Sequence, residues 1–265
     1  GNASLNDCLE SGAPMLNDLI SILVRFRLHS SAFCSDIEKA FLSVRLHKDD
    51  RNYTKFLWLS KPEDHEGPFR VYRFSSVLFG STSSPFILDT VLKKHLRSYT
   101  SSVARDISHN IYVDNIVSGV SQLENDSKTE TLAVDYYTTA NSIMSDAGFK
   151  LRSWATNDPI LRTQIQLDGT ADPQTNVNIL GLKWDTITDQ ITFPTESPIP
   201  QGPITKRAIL KETTLLFDPL GFLTPVHIRA KILLQKMWFE KTSWDEEISP
   251  VLRNSWNNIY SDLCS

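Results

Sequence analysis

The spacing of apolar residues in the first hundred positions predicts two helices and one buried strand. Residues 14–28 carry apolar side chains at helical spacing, and Pro14 suits the first turn of a helix. A short apolar run over 32–35 predicts a buried strand that ends at Asp36. The Ser-Ser-Pro sequence at 83–85 is a typical helix start and predicts a helix that continues to residue 99.

Two pairs of β-rich segments predict hairpins. The segments 53–59 and 71–77 flank a polar loop that contains proline and glycine. Further along, the apolar runs 111–113 and 116–118 are separated by Asp114-Asn115. Because aspartate and asparagine tolerate positive φ, this pair predicts a two-residue turn with Asp114 at its tip.

The second half of the chain predicts one long helix, short strands and a helical end. The helix is predicted over 124–147, and the polar segment 158–175 is interpreted as a surface insertion. Short strands are predicted over 149–154, 179–184 and 190–193, and helices over 204–217 and 225–240. A proline-rich linker at 194–203 predicts the domain boundary, with residues 1–193 before it and a helical region, 204–265, after it.

Composition favours an intracellular globular protein with no membrane span. Hydrophobic residues make up 40% of the 265 residues, and no apolar run reaches the ~20 residues that a span needs. The three cysteines are far apart and fit neither a disulfide framework nor a zinc site, which is typical of reduced thiols. We therefore expect an intracellular location, either cytoplasmic and particle-associated or nuclear.

Positive charge is concentrated near the carboxyl end. The net charge is −4, but residues 201–241 contain seven basic and three acidic residues, a balance of +4. A solvated helical face explains such a segment as well as a nucleic-acid surface does, and charge alone favours the former.

Two aspartates are candidates for metal chemistry. Asp36 ends a predicted strand and Asp114 occupies a predicted hairpin tip, where a scaffold can hold carboxylates rigidly. Two carboxylates brought together can share two divalent metal ions about 3.5–4 Å apart and so activate a hydroxyl and stabilise a leaving pyrophosphate. Taken singly, each aspartate is better explained as a turn residue or a helix cap than as a metal ligand.

Five motifs occur in the order of reverse transcriptase motifs A to E. They are Cys34-Ser-Asp-Ile-Glu-Lys-Ala-Phe41, Leu78-Phe-Gly-Ser-Thr-Ser-Ser-Pro-Phe86, Tyr112-Val-Asp-Asn115, Gly148-Phe-Lys-Leu-Arg-Ser-Trp154 and Leu180-Gly-Leu-Lys-Trp-Asp185. Their detail is similar to the BEL/Pao class of LTR retrotransposons, as is a tail with Thr205-Lys-Arg and Phe217-Asp-Pro-Leu-Gly-Phe-Leu-Thr-Pro225. The resemblance covers nearly the whole chain. It implies an α+β fold: a right-hand polymerase palm, with an antiparallel sheet backed by helices, partial fingers and a helical thumb-like region.

The resemblance also implies residue roles and partners. Asp36, Asp114 and Asn115 would stand at the catalytic positions, with Asp36, Asp114 and the backbone carbonyl of Ile37 binding two Mg²⁺ or Mn²⁺ ions. The incoming nucleotide would contact Phe41 (a steric gate against the ribose 2′-hydroxyl), Phe79 and Gly80. A primer and its RNA or DNA template would contact Leu180, Gly181, Leu182, Lys206 and Arg207. Further partners would be dNTPs and the rest of a Pol polyprotein or a second subunit.

Departures from the family pattern leave two functions open. Asn115 stands where the family usually has a second aspartate, and the first fingers strands of the family lie before the point where this chain begins. Ser153 stands where relatives often have lysine, so Lys150 or Arg152 would be the nearest candidate proton donor, although arginine is a poor acid. The leading hypothesis is an RNA-directed DNA polymerase. The alternative is a catalytically inactive palm and thumb, decayed or host-adopted, that binds nucleic acid or protein. An aspartic protease is excluded by the absence of Asp-Thr-Gly and Asp-Ser-Gly.

Overall fold

A computed structural model describes residues 3–121, 131–193, 202–215 and 217–264. The helices are α1 (Leu19–Phe26), α2 (Ala40–Ser43), α3 (Ser84–Leu96), α4 (Ser102–Asn110), α5 (Leu132–Asp146), α6 (Pro159–Leu167), α7 (Lys206–Leu215), α8 (Thr224–Phe239) and α9 (Pro250–Cys264). The strands are β1 (Ser31–Ile37), β2 (Lys55–Leu59), β3 (Phe69–Arg73), β4 (Ile111–Tyr112), β5 (Asn115–Val120), β6 (Leu151–Thr156), β7 (Asn176–Ile179), β8 (Leu182–Asp185) and β9 (Gln190–Thr192). The chain divides into two compact units, Gly1–Thr175 and Asn176–Ser265.

The first unit is built on a four-stranded antiparallel sheet. Its strand order is β4-β5-β1-β6, so β1 lies in the interior of the sheet between β5 and β6. Buried side chains from β1, α3, α4 and α5, such as Phe33, Leu92, Ile107 and Met144, form one core cluster against the sheet. This arrangement of an antiparallel sheet backed by helices confirms the predicted α+β class.

Helix α1 begins later than its apolar spacing predicted. Its first residue is Leu19, because the side chain of Asp18 accepts a hydrogen bond from the Ser21 amide at 2.8 Å and so caps the helix there. Residues 14–17 precede the helix instead, and the Asn17 amide donates to the carbonyls of Ser108 and Ile111. The prediction of a helix from Pro14 was therefore wrong at its start.

The polar segment 158–175 contains a helix, so its interpretation as a surface insertion was wrong. Asp158 caps α6 by accepting hydrogen bonds from the amides of Ile160 and Leu161, and Pro159 occupies the first turn. Leu161 and Ile165 are buried on one side of this helix. The cap, the proline and the four-residue spacing were all visible in the sequence, but the polar composition obscured them.

The second unit combines a small sheet with three described helices. Strands β7, β8 and β9 form an antiparallel meander. Ile209, Leu233, Met237 and Trp256 belong to a core cluster that joins α7, α8 and α9. Most of the predicted linker, residues 194–201, lies outside the described residues, so the boundary at 194–203 stays a prediction.

The predicted hairpin over 53–77 forms as β2 and β3, and both of its faces are exposed. Leu57 pairs with Val71, while Phe56 pairs with Tyr72 on the opposite face. The side chains of Leu57 and Val71 are 64% and 66% exposed, so this apolar surface is uncovered in the described residues. In the same described ranges, every helix is too short or too polar to traverse a bilayer.

Candidate active site

Strand β1 carries Asp36 on the face of the sheet opposite the main core. Phe33 and Ile37 belong to the core cluster, and side chains alternate between faces along a strand. The bulge described below lies on β6, so the alternation along β1 itself is kept through Ser35 to Asp36. Asp36 is therefore held by a buried strand while its own carboxylate stays partly exposed, at 29% of its side-chain surface.

The hairpin between β4 and β5 places Asp114 beside Asp36. Tyr112 pairs with Asn115, so the two turn residues are Val113 and Asp114, and Asn115 is the first residue of β5. The predicted Asp114-Asn115 turn was thus shifted by one residue. Val113 has φ +57°, a conformation that is strained for a β-branched residue. A positive φ at the first turn residue matches the twist of a tight hairpin.

Register brings the three predicted catalytic positions to one edge of the sheet. Asp36 on β1 is the direct cross-strand partner of Asn115 on β5, so their side chains lie on the same face. The amide of Ile37 donates to the carbonyl of Asp114 at 2.8 Å, which fixes the turn against the end of β1. The structure therefore brings Asp36, Ile37, Asp114 and Asn115 together.

Asp114 lies in an environment that disfavours its charge. Partial burial raises the pKa of the Asp114 carboxyl above its usual value, and the nearby charge of Asp36 raises it further. The Asn115 side-chain amide donates a hydrogen bond to Asp114 Oδ1 at 3.1 Å. An aspartate at position 115 would replace this donor by a second negative charge. Asn115 is thus accommodated as a partner of Asp114.

A β-bulge in β6 decides which side chain faces Asp36 from the other side. Cys34 pairs with Ala155, but Asp36 pairs with Arg152, so β6 holds one extra residue between these two pairs. Ser153 absorbs it with φ +50°. Leu151 and Trp154 both enter the core cluster although they are three residues apart, which an uninterrupted strand could not arrange.

The guanidinium of Arg152 forms an ion pair with Asp36. Its Nε donates to Asp36 Oδ2 at 2.9 Å, and this hydrogen bond raises the pKa of the Arg152 side chain. Lys150 pairs in turn with Glu38 at 3.3 Å. Sequence reasoning had considered Arg152 only as a poor proton donor. The bulge that aims it at Asp36 has no clear sequence signal, because Ser153 replaces the glycine that often marks such a position.

The oxygen donors at this edge fit a hard divalent cation. Carboxylates and backbone carbonyls are the ligands that Mg²⁺ and Mn²⁺ prefer, and Asp36 and Asp114 supply two carboxylates that are close enough for their charges to interact. Within the described residues, no three histidine, cysteine or acidic side chains cluster so as to hold a metal ion. Position 115 contributes an amide to this edge and not a third carboxylate.

The predicted nucleotide residues Phe41 and Phe79 are in contact. Their rings meet edge to face, with centroids 4.9 Å apart. Phe41 is buried in the core at the start of α2, whereas Phe79 is 65% exposed. Gly80 follows with φ +78°, and a Cβ at this position would meet no atom within 4 Å. Its glycine is therefore required by the backbone conformation rather than by local crowding.

Asn6 holds the loop around Gly80, a role that the sequence did not predict. Its side chain donates to the Gly80 carbonyl at 2.9 Å and accepts from the Thr82 amide at 3.0 Å. One asparagine thus satisfies backbone groups on both sides of Ser81. A polar residue near the beginning of a chain gives no signal for a contact 74 positions away.

The predicted primer-contacting residues of the second unit form a tight turn. Ile179 pairs with Leu182, so Leu180 and Gly181 are the two turn residues, with φ +48° and +94°. The single strand predicted over 179–184 is therefore two strands. A Cβ on Gly181 would lie 2.6 Å from the ring of Phe217, so both conformation and space require glycine.

The two basic residues at the start of α7 are engaged within the second unit. Lys206 is only 4% exposed, and its ammonium lies 4.2 Å and 4.8 Å from the ring centroids of Trp238 and Trp244. Arg207 forms a two-point ion pair with Asp245, at 2.7 Å and 3.1 Å. Because the Lys206 ammonium is buried, it is not accessible to a phosphate, whereas the Arg207 side chain lies at the surface.

The chain matches two family models. Residues 11–182 match the model described as reverse transcriptase (RNA-dependent DNA polymerase). Residues 205–265 match the model described as Pao retrotransposon-like RNaseH-like domain, and their described part consists of α7, α8, α9 and the connecting loops. Among curated proteins, none matches the sequence.

The fold is similar to that of the foamy viral protease-reverse transcriptase, solved in complex with an RNA/DNA hybrid. The TM-score is 0.56 at 14% sequence identity, and the match covers 94% of this chain and 29% of that one. At this identity the likeness concerns the fold, and this chain spans less than a third of the length of that protein.

An antiparallel sheet that is backed by helices and carries Asp36 at a strand end beside the Asp114 turn fits a polymerase palm. The reverse transcriptase model covers 172 of the 265 residues, and the chain belongs to the reverse transcriptase (RNA-dependent DNA polymerase) family. The second match confirms the Pao-type character predicted from the tail. This family is generally dependent on divalent metal ions.

Proposed function

We propose that this protein is an RNA-directed DNA polymerase that extends a primer with dNTPs, using two Mg²⁺ or Mn²⁺ ions. The observation that carries the proposal is the cross-strand pairing of Asp36 with Asn115, which sets Asp114 beside Asp36 at one sheet edge. In the reaction the primer 3′-oxygen bonds to the α-phosphorus of the dNTP, and the bond to the β-phosphate breaks to release pyrophosphate. The bound cations supply the charge that activates the 3′-hydroxyl and stabilises the pyrophosphate.

The side chains of this chain contribute positioning and charge. Asp36 and Asp114 would hold the cations, with the Ile37 carbonyl as a third oxygen, and the hydrogen bond from the Ile37 amide to the Asp114 carbonyl keeps these residues together. Phe41 and Phe79 form the apolar wall on which the sugar and base rest. The turn at Leu180–Gly181 and the basic surface of α8 contact the primer and the template phosphates.

The template partner is an RNA or DNA strand annealed to a primer. The structural neighbour was solved with an RNA/DNA hybrid, and a family relationship supports the same class of partner here. The balance of +4 over residues 201–241 is consistent with phosphate contacts along the helical region. We also propose that this protein is located inside the cell.

Primer extension with and without a restored carboxylate tests the proposal. We expect Asn115→Asp to bind Mg²⁺ more tightly and to extend a primer faster, by about tenfold or more, because a third carboxylate offsets cation charge. Without metal, the same variant should melt at a lower temperature, since the new charge faces Asp114 and the hydrogen bond from Asn115 is lost. Calorimetric metal titration, melting curves and extension on RNA and DNA templates provide the measurements.

Asp36→Asn is the matched control, because it removes one carboxylate from the same edge and should abolish extension in both backgrounds. If neither the unmodified chain nor the Asn115→Asp protein extends a primer in a way that depends on Asp36, the polymerase proposal is wrong for this protein. A result of hybrid binding without extension would favour the alternative, a non-catalytic nucleic-acid-binding palm. Asn115 and the ion pair of Asp36 with Arg152 are the two observations that favour that alternative.

A further inference from the structure

A positively charged side chain lies directly against the carboxylate that is proposed to bind metal. Arg152 Nε is 2.9 Å from Asp36 Oδ2, and the two side chains are 50% and 29% exposed. A carboxylate oxygen that accepts a short hydrogen bond from a guanidinium has less to offer a cation, and the guanidinium charge repels that cation. Metal and Arg152 therefore compete for Asp36.

The backbone is arranged to create this pair. Without the bulge, Asp36 would face Ser153, because Cys34 pairs with Ala155 in the preceding register. The positive φ of Ser153 shifts Arg152 into the position opposite Asp36. Two hydrogen bonds hold this part of β6: Ser35 Oγ donates to the Arg152 carbonyl at 3.0 Å, and the Glu38 amide donates to the Lys150 carbonyl at 2.8 Å.

The small negative charge of this site strengthens the competition between Arg152 and a metal ion for Asp36. The three catalytic positions carry two carboxylates and one amide, so one guanidinium offsets half of their negative charge. A site with three carboxylates would keep a larger share of its charge beside the same arginine. The arginine and the asparagine therefore act in the same direction, towards weak binding of free metal.

We propose that Arg152 is an internal counter-ion of the metal site, which occupies Asp36 until a divalent cation displaces it, and so sets the affinity for that cation. The inference rests on the proposed function, since it takes Asp36 to be a metal ligand. It assigns Arg152 a positioning role, acting through Asp36 rather than on the nucleotide.

Mn²⁺ binding to the full chain tests this role without any need for catalysis. Free Mn²⁺ is measured by electron paramagnetic resonance during titration at fixed ionic strength. Arg152→Gln should bind Mn²⁺ about two- to fivefold more tightly than the unmodified chain, the range expected from removing one partly exposed ion pair. The Mn²⁺ affinity of Arg152→Lys should lie between those of Arg152→Gln and the unmodified chain, because lysine keeps the charge but loses the Nε donor.

Lys150→Gln is the matched control. It removes the same charge two positions away, but Lys150 pairs with Glu38 and not with Asp36. Its effect on Mn²⁺ affinity should be clearly smaller than that of Arg152→Gln. In an Asp36→Asn background, Arg152→Gln should change nothing, because the shared partner is gone.

Equal or weaker Mn²⁺ binding by Arg152→Gln overturns the inference. If the single substitution Asp36→Asn nevertheless abolishes Mn²⁺ binding, the proposed polymerase site survives and only the role of Arg152 is wrong. If neither the unmodified chain nor Asn115→Asp binds Mn²⁺ through Asp36, both proposals fail. If Arg152→Gln does not fold, Arg152→Lys is the deciding variant. A Mn²⁺ affinity of Arg152→Lys equal to that of the unmodified chain would contradict the competition between Arg152 and the cation.

Discussion

At the scale of single residues, the site depends on a few side chains that serve both packing and chemistry. Phe41 is the clearest case, since it is 7% exposed within the core and also touches Phe79. The structure places one ring in both environments, so substitutions should change stability and nucleotide selection together.

Phe41→Val tests this double role. A smaller side chain should admit ribonucleotides and lower the dNTP/NTP preference about tenfold, since a pocket change of this size corresponds to roughly 1–3 kcal/mol. It should also lower the melting temperature by several degrees, because ~1 kcal/mol corresponds to about 2–4 °C for a protein of this size. Incorporation of dNTPs and NTPs is measured beside thermal melting, in the Asn115→Asp background if that is the more active one.

Phe33→Val is the matched control for this substitution. Phe33 is fully buried in the same cluster, against Tyr136 and Trp154, away from Phe79. It should lower the melting temperature without altering sugar preference. If Phe41→Val is destabilised while its dNTP/NTP ratio is unchanged, Phe41 serves only the core.

At the scale of elements, the loops that are proposed to carry function are held by hydrogen bonds to residues distant in sequence. The loop at Gly80 is tied to Asn6, and the turn at Asp114 is tied to Ile37. Loops that are fixed in this way can present ligand-binding groups with little loss of entropy on binding. We therefore expect Asn6 to position the loop at Gly80, which is proposed to contact the nucleotide.

Asn6→Ala should loosen that loop. Both backbone groups that Asn6 satisfies would turn to solvent, so hydrogen exchange at the Thr82 amide should accelerate about tenfold, equivalent to roughly 1.4 kcal/mol of lost protection. Asn6→Asp keeps the acceptor for Thr82 but loses the donor to Gly80, and should fall between. Exchange is followed by mass spectrometry on peptides that span residues 79–83.

Asn17→Ala serves as the control for the loop experiment. It removes another asparagine that precedes α1 and bonds to backbone carbonyls, but its partners are Ser108 and Ile111. Exchange at residues 79–83 should stay unchanged in this variant. Equal acceleration by both substitutions would show a general loosening and would remove the specific role of Asn6.

Elements with strong local signals were predictable, and those that depend on tertiary contacts were not. The strand before Asp36 and the helix starting at Ser84 were confirmed close to their predicted bounds, and the hairpin of β2 and β3 was confirmed although β3 ends four residues before its predicted end. Helix α4 was not predicted, and α9 was predicted only as part of the helical region 204–265 without bounds of its own, since their polar residues masked the buried side. The turn at Val113 could not be placed by residue preference, because pairing of Asn115 with Asp36 outweighs the strain at a β-branched residue.

At the scale of the whole molecule, charge is distributed unevenly along the chain. Residues 201–241 have a balance of +4 in a protein of net charge −4. The structure separates the members of this basic segment by environment. Lys206 is enclosed by two tryptophans, whereas Lys231 and Lys236 on α8 are exposed. Phosphate binding should therefore depend on the exposed residues of α8.

The double variant Lys231→Gln, Lys236→Gln tests this division. Its affinity for an RNA/DNA hybrid should fall severalfold at low salt for every sequence tried. Its slope of log affinity against log salt should become shallower by about one to two, as expected for two lost phosphate contacts. Fluorescence anisotropy across a salt series gives both quantities.

Lys206→Gln is the contrasting variant. The loss of cation–π contacts in a buried site should lower the melting temperature by a few degrees, corresponding to roughly 1–2 kcal/mol. Its salt slope should equal that of the unmodified chain. A shallower slope for Lys206→Gln than for the double variant would contradict the assignment of phosphate contacts to α8.

The bulge at Ser153 also affects how this site can evolve. The chain contains one residue of β6 that the pairing with β1 does not use, so a single-codon deletion of Ser153 would leave the Cys34–Ala155 and Asp36–Arg152 pairs in one uninterrupted register. That event would remove the bulge and keep the arginine beside the carboxylate. Lineages could thus keep the same neighbours in space at a different chain length, and alignments that open no gap at this position would pair residues that occupy different positions in space. Comparative studies of this enzyme class should therefore count strand register as an inherited character in its own right.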